Sequence, residues 1–497
     1  MNSIQFGRTK ILRDETEVTA DNVVKIVSET FLKHRQNNID IDELYRYYKG
    51  NQPILLRQKK IRPEICNKIV ENRANEIVSF KTGYLCGEPL QYISRGDSEN
   101  VTEEIGKLND LMVLCSKEYL DTEIAEWMYI CGQGYRMVLP NGTGIANQII
   151  PKLLSRKMPI MEDESPFSIY TLDPRYTYVV YHSGIGEPPI MSVKYVCHEC
   201  NSTAHEDGSV TVSVYTPKWY FELTGKSGLS ALKLKRTVAN TLEFIPIIEY
   251  PLNNSRMGAF EIVLPILNAI NMVQSNRLDG IEQFIQSLTV LYNADIDKDE
   301  VATLRESGFI KIKNYGDQKA DIKEISQQLD QQQTQTLIDY MYQTVLNIVG
   351  MPNRNGGSST SDTGTAVIVR DGWSAAEARA KQDETSFKRS ELAFLKIVLH
   401  IMRGTTETTL KLSDIETKFT RRNYENIQSK AQVLCQMLQN EKIHPQLAFT
   451  HSGMFSDPEA AYLLSKKYYN SAKEESIKPE ILTDTNVITN SGGGEIA

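Results

Sequence analysis

Three long stretches of this chain place apolar residues at helical spacing, and each needs something to cover its apolar side. From Gly258 to Leu288 the series is Val263, Leu267, Ile270, Leu278, Ile281, Ile285 and Leu288, with Gln274 as its polar member. A Gln-rich stretch from about Ile325 to Val349 carries Leu329, Leu337, Met341, Val345 and Ile348. The third, Gly364 to Arg403, is Ala-rich at first (Ala375, Ala376, Ala378, Ala380), then apolar (Leu392, Phe394, Leu395, Ile397, Val398, Leu399, Ile401), with Gly404 placed to cap it. Between the first two, Thr289–Ala294 and Phe309–Asn314 read as strands flanking a short helix, Lys298–Ser307. Between the last two lies Met351–Thr363, the most flexible composition in the chain interior, read as a mobile loop.

The remainder mixes helix and strand. Thr19–Lys49 reads as a charged surface helix pair, Asn67–Gly83 as a helix, Leu90–Ser94 as a strand and Thr102–Cys131 as a longer amphipathic helical stretch. From Gly134 to Tyr250 the runs Tyr135–Leu139, Tyr176–His182, Ser192–Cys197, Val210–Tyr215, Trp219–Leu223 and Ile245–Tyr250 are β-type, separated by turn pairs such as Asn141-Gly142 and Asp207-Gly208. Thr408–Leu412 looks β-like, two or three helices follow from Tyr424 to about Lys473, and the tail Glu474–Ala497 is expected to be disordered. The fold class is α+β, mostly helical, and 497 residues suit about three domains or one elongated fold.

Composition narrows function by exclusion. At 40% hydrophobic and 24% charged residues, wholesale disorder is ruled out. With 55 Lys+Arg against 63 Asp+Glu, the net charge of −8 argues against a broadly basic clamp on nucleic acid, though not against a local basic patch. No apolar run approaches the ~20 residues that cross a bilayer, and Met1–Glu15 lacks a signal-peptide core, so no membrane association or secretion by that route is expected. Seven scattered cysteines read as reduced cytosolic thiols.

Motifs for chemistry are sparse. Cys197-His198-Glu199-Cys200, with His205 nearby, offers half of a structural zinc site through Cys197 and Cys200, and a cysteine-bearing β-turn is the simpler reading. Gly225-Lys226-Ser227 lacks the glycine five positions earlier that a phosphate loop requires, since Tyr220 is there. Gly132-Gln133-Gly134 lacks the third glycine of a dinucleotide fingerprint. Asp40, Asp42 and Glu43 could share acid–base roles, but negative charge favoured by a helix N-terminus explains them more simply. No catalytic constellation or required cofactor emerges.

The order of elements, together with local strings, resembles the portal proteins of tailed double-stranded DNA phages, the head-to-tail connectors, particularly those of long-tailed phages of Gram-positive bacteria. Ile69-Val70-Glu71 through Lys81-Thr82-Gly83-Tyr84-Leu85-Cys86-Gly87-Glu88-Pro89-Leu90 looks like the family's early helix running into a strand. Cys131-Gly132-Gln133-Gly134-Tyr135, Asp173-Pro174-Arg175 and Ile245–Tyr250 are similar to signposts of its wing. Gln274-Ser275-Asn276, Gly350-Met351-Pro352, Gly364-Thr365-Ala366 and Phe419–Asn423 fit the stem helix, loop flanks and terminal part. The likeness spans about residues 20 to 470 in order. The Cys-His-Glu-Cys turn and the Gly/Ser-rich loop depart from the pattern.

The resemblance implies a wing (1–254), stem helices (255–288 and 325–350), a clip (289–324), a tunnel loop (351–363), a long wing–crown helix (364–404), a crown (405–473) and a tail (474–497). It implies a non-enzymatic cyclic ring of about twelve copies at one capsid vertex, in the virion, assembled in the host cytoplasm. Double-stranded DNA would pass through the channel during packaging and ejection. The terminase large subunit, a head-completion adaptor, and the major capsid and scaffolding proteins would be partners, and no membrane is involved. Arg354, Asn355, Ser358, Ser359, Thr360, Ser361 and Arg370 would face DNA, with the two arginines as sparse phosphate contacts. Asp295, Asp297, Asp299, Glu300, Arg305, Lys311 and Lys313 would bind partners at the clip. Leu278, Ile281, Ile285, Met341 and Val345 are expected at subunit interfaces, with burial inside one chain as the alternative. A DNA-processing enzyme, zinc-dependent through Cys197 and Cys200, and an oligomeric adaptor without a channel are the rival readings.

Overall fold

Thr19–Lys49, expected as two helices, forms one 26-residue helix, α1 (Val23–Tyr48), because no Gly or Pro interrupts it. Its mid-helix Asn37 is satisfied locally: the side chain accepts from Thr9 N–H (3.0 Å) and donates to Thr9 C=O (2.8 Å). Asp40, Asp42 and Glu43 therefore lie within a helix and not at its N-terminus, which removes the dipole explanation. Asp40 is buried, and Asp42 pairs with Arg46 (2.7 Å) and Arg175 (3.4 Å).

The computed structural model describes residues 6–60, 62–96, 99–141, 165–198, 209–226, 230–285, 288–292, 321–325, 331–353, 372–406, 408–420, 427–455 and 458–477. The chain divides into two compact units, Met1–Arg422 and Asn423–Ala497.

In the first unit α1 serves two cores. Val23, Ile26, Val27 and Phe31 cover a six-stranded sheet, while Ile41, Leu44 and Tyr47 enter a larger, mainly helical core. The sheet runs β1 (Ile11–Arg13), β5 (Thr177–His182), β6 (Pro189–His198), β7 (Ser209–Tyr215), β8 (Trp219–Lys226), β9 (Ser230–Ala239), parallel at β1/β5 and antiparallel elsewhere. Strand β9 went unread although Leu232-Lys233-Leu234-Lys235 alternates; on an edge strand such cations oppose further pairing. A second sheet orders β10 (Ile247–Pro251), β3 (Gln133–Pro140) and β4 (Phe167–Leu172), with β3 central and buried along its whole length.

Helix α2 (Arg73–Cys86) starts later than expected, because Asn72 caps it through Asn75 N–H (3.3 Å). The Thr102–Cys131 stretch is two helices, α3 (Glu99–Leu114) and α4 (Lys117–Cys131), broken where Ser116 turns left-handed at φ 52°. Strand β2 (Gln91–Ser94) pairs not with a neighbour in sequence but with β13 (Ile415–Lys418). That pairing moves the expected strand at Thr408–Leu412 downstream and places 408–418, assigned above to the crown, in the first unit.

The long helices are α5 (Leu264–Ile285), α6 (Gln331–Val349) and α7 (Trp373–Thr405). Ile325 does not open α6: it ends β12 (Asp321–Ile325), which pairs antiparallel with β11 (Leu288–Tyr292). The expected strand Phe309–Asn314 and helix Lys298–Ser307 lie outside the described residues. Gly404 sits inside the last turn of α7, whose end is held by Thr405 and Thr406 hydroxyls donating to Ile401 and Met402 carbonyls (both 2.9 Å). A single glycine costs a helix only ~1 kcal/mol, too little to stop one so well packed.

The second unit holds α8 (Ile427–Leu438), α9 (Pro445–Ser452) and α10 (Pro458–Ile477). Pro445 opens α9 with fixed φ, and Gly453 ends it at φ 62°. Phe449 packs against the rings of Phe455 and Tyr462. Of the tail expected at Glu474–Ala497, the first residues, through Ile477, close α10, and the rest lies outside the described residues.

Candidate functional site

Helix α5 carries a buried polar row among its apolar residues. Asn271, Ser275 and Asp279, each four residues apart, share one face. They hold an extended strap: Glu71 N–H donates to Asn271 Oδ1 (2.8 Å), Ile69 N–H to Ser275 Oγ (3.0 Å) and Asn67 N–H to Asp279 Oδ1 (2.7 Å). Arg57 (3.0 Å) and Lys59 (3.1 Å) pair with the same carboxylate. Burial would raise the Asp279 pKa, but these donors outweigh it and hold the carboxyl below its usual range. The strap explains why the Asn67 helix start fails: the backbone of 67–71 is spent on α5.

A second cluster fixes α7. Glu391, fully buried, accepts from Lys117 Nζ (2.9 Å), Arg136 Nη1 (3.2 Å) and Tyr250 OH (2.7 Å), and from Tyr92 OH. Asp121 accepts from Lys117 (2.6 Å) and from Arg136. Two cations and two carboxylates thus balance inside the core, joining α4, β3, β10 and β2 to α7. Burial opposes ionisation of Glu391, yet Lys117 and Arg136 draw its pKa well down. Such a cluster adds little net stability, but removing one member leaves a buried charge uncompensated, at ~3–5 kcal/mol. Its chemistry is structural: the charges neutralise one another.

The flanks of the expected tunnel loop meet. Gly350 turns at φ 70°, Met351 and Pro352 are buried, and a Cβ on Gly372 (φ 83°) would lie 3.8 Å from Pro352 Cα. Trp373, opening α7, lies beside the rings of Phe80 and Tyr84, and Tyr84 OH donates to Glu377 (2.9 Å). The base of the loop is therefore anchored on α2 and α7. The loop residues themselves, Arg354, Asn355, Ser358, Ser359, Thr360, Ser361 and Arg370, lie outside the described residues, as do the clip residues Asp295, Asp297, Asp299, Glu300, Arg305, Lys311 and Lys313.

Of the expected interface residues, Ile281 is 41% exposed, and Leu278 and Met341 are half-buried. The side chain of Ile285 lies outside the described residues. Val345 is a correction: it is 0% exposed in the chain's own core with Ile338 and Val349, so it cannot meet a neighbouring copy. Cys197 sits near the end of β6 and packs against the sheet core, on the same side as Tyr195 and Val193; Cys200 is outside the described residues. Among the described residues no group of three or more His, Cys, Asp or Glu is arranged to hold a metal ion. The residues missed were Asn271, Ser275 and Asp279, whose spacing of four was visible, and Glu391, whose partner Arg136 is 255 residues away.

Residues 30–478 match the family described as "Phage portal protein, SPP1 Gp6-like". A comparison with curated proteins finds no significant match. Solved structures that resemble the chain include one titled "Neck of empty GTA particle computed with C6 symmetry" (11% identity, TM-score 0.43) and one titled "Virion of native gene transfer agent (GTA) particle" (10% identity, TM-score 0.42). Each alignment covers 84% of this chain and 94% of the other. With the family match running through β2 to β13, α5 to α7 and the helical second unit, the chain belongs to the phage portal proteins, a family of structural, non-enzymatic connectors.

Proposed function

We propose that this chain is the repeating subunit of a dodecameric channel at one vertex of a phage capsid, through which double-stranded DNA is packaged and later ejected. The supporting observation is the family match, which runs over residues 30–478 and so includes α5, α6 and α7. In this reading α5 and α6 form the stem and β11/β12 belong to the clip. The tunnel loop, Met351–Thr363, reaches toward DNA through Arg354, with Arg370 just after it as a second contact. The clip, with Asp295, Asp297, Asp299, Glu300, Arg305, Lys311 and Lys313, docks the terminase large subunit and then a head-completion adaptor. The wing side meets capsid and scaffolding proteins. The protein works in the virion after assembly in the host cytoplasm. ATP hydrolysis falls to the motor, in keeping with the failed phosphate-loop pattern at Gly225-Lys226-Ser227.

Native mass spectrometry with negative-stain class averages of the purified protein tests this reading. A closed ring near twelve subunits, with a hole wide enough for a duplex ~20 Å across, is the expected result. A ring whose hole excludes a duplex would reduce the protein to an adaptor without a channel.

A further inference from the structure

A closed ring joins unlike faces: each copy presents one patch to the left and a different one to the right. Two unlike apolar patches flank α5. On one side the strap clamped by Asn271, Ser275 and Asp279 begins with the short turn Pro53–Leu56, where Ile54 is buried but Leu55 is 38% and Leu56 76% exposed. The turn is held in place: Arg57 Nη1 donates to Asn67 C=O (2.9 Å), Cys66 Sγ to Arg57 C=O (3.7 Å), and Arg57 also pairs with Asp279. On the other side lies α6, reached by Arg277, which donates to Gln335. Arg277 follows Ser275 by two residues and so points to nearly the opposite face of α5.

Helix α6 has two apolar rows. Ile338, Val345 and Val349 are buried, whereas Leu337 (48% exposed), Tyr340 (71%) and Ile348 (38%) form a second row facing outward. Exposed apolar side chains of this size at helical spacing mark an interaction surface. Charge fits the pairing too. Of the five cations from Arg57 to Lys68, Arg57 and Lys59 are paired with Asp279 and Arg62 with Glu64, which leaves the exposed Lys60 and Lys68 to face outward, while α6 carries one charge, the exposed Asp339.

We infer that the occupant of each patch is the other patch on the next copy: the Leu55/Leu56 turn of one subunit seats against the Leu337/Tyr340/Ile348 row of its neighbour, with the basic strap beside Asp339. The inference rests on the ring reading and specifies which surfaces close the ring. Leu55 and Leu56 were not among the interface residues expected from sequence, because they lie outside any periodic run, and on α6 the expectation named Met341 and Val345 instead of Leu337, Tyr340 and Ile348.

The test uses full-length Leu56→Glu and Tyr340→Glu, analysed separately and mixed by native mass spectrometry, with circular dichroism as the check on folding. Both side chains are exposed, so both variants are expected to fold. Each alone stays monomeric, since one face of every contact is spoiled. Mixed in equal amounts they form heterodimers and nothing larger, because a single intact pair of faces remains and both outer ends are blocked. Rings formed by either variant alone, or a mixture that stays monomeric, would overturn the pairing while leaving the wild-type ring in place. A wild-type protein that never forms a ring would overturn the channel reading itself, and this inference with it.

Discussion

At His34 a single buried side chain is placed to couple the first unit to pH. It sits fully buried on α1, stacked on Tyr178 (4.4 Å between ring centroids) and edge-on to Tyr195, with Nε2 3.2 Å from Arg175 C=O. Burial pushes its pKa down to about 4, against a small upward pull from the Arg175 carbonyl. A folded-state pKa below the unfolded value of ~6.5 means the neutral ring stabilises the fold above that value, and the contribution is lost as pH falls toward 4. The shift corresponds to about 3 kcal/mol at most. His34→Phe keeps the ring stack but cannot take up a proton. Apparent Tm between pH 6.5 and 4 is therefore expected to fall more steeply for wild type than for the variant; parallel profiles would show that His34 does not titrate there.

At the scale of elements, the apolar rows of α5, α6 and α7 were legible because burial of one helix face imposes a period that a sequence displays directly. What the rows could not display is their partner. Val345 and Tyr340 both belong to α6, yet one packs inside the chain and the other faces out, a distinction set by where α5 lies. The polar row of α5 went unread although it anchors an extended strap, and β4 and β9 went unread between better-patterned strands. Glu391 is the extreme case, since nothing local reveals that Lys117 and Arg136 lie around it. The same distinction yields a paired expectation. Ile281→Glu, on a 41% exposed side chain, impairs ring assembly while leaving monomer unfolding nearly unchanged. Val345→Ala instead destabilises the monomer by about 1.5 kcal/mol, two methylene equivalents removed from a filled core. Sedimentation velocity and thermal unfolding separate the two effects, and an Ile281→Glu monomer that unfolds would count against a surface role.

For the whole molecule, on the proposed channel reading, the governing quantity is charge against DNA. Each Lys or Arg that neutralises a phosphate adds affinity through counterion release, so a wall with many such contacts would hold a duplex and not let it slide. A subunit of net charge −8, which would give −96 in the proposed ring of twelve, would suit passage, provided the few cations proposed to touch DNA are placed where holding is useful. The loop base meets that need: Pro352 and Gly372 adjoin, Trp373 is packed beside Phe80 and Tyr84, and a segment carrying Arg354 and Arg370 springs from this fixed point. A sparse contact of this kind, repeated once per subunit, would contribute more to retaining packaged DNA than to the rate of its entry, since the packaged state is the one in which all contacts act together. Arg354→Ala is thus expected to leave ring mass unchanged and packaging initiation intact, while the fraction of particles keeping full-length DNA falls, and falls further as salt is raised. Full retention with unchanged salt dependence would remove Arg354 from the DNA path and leave it a solvated charge.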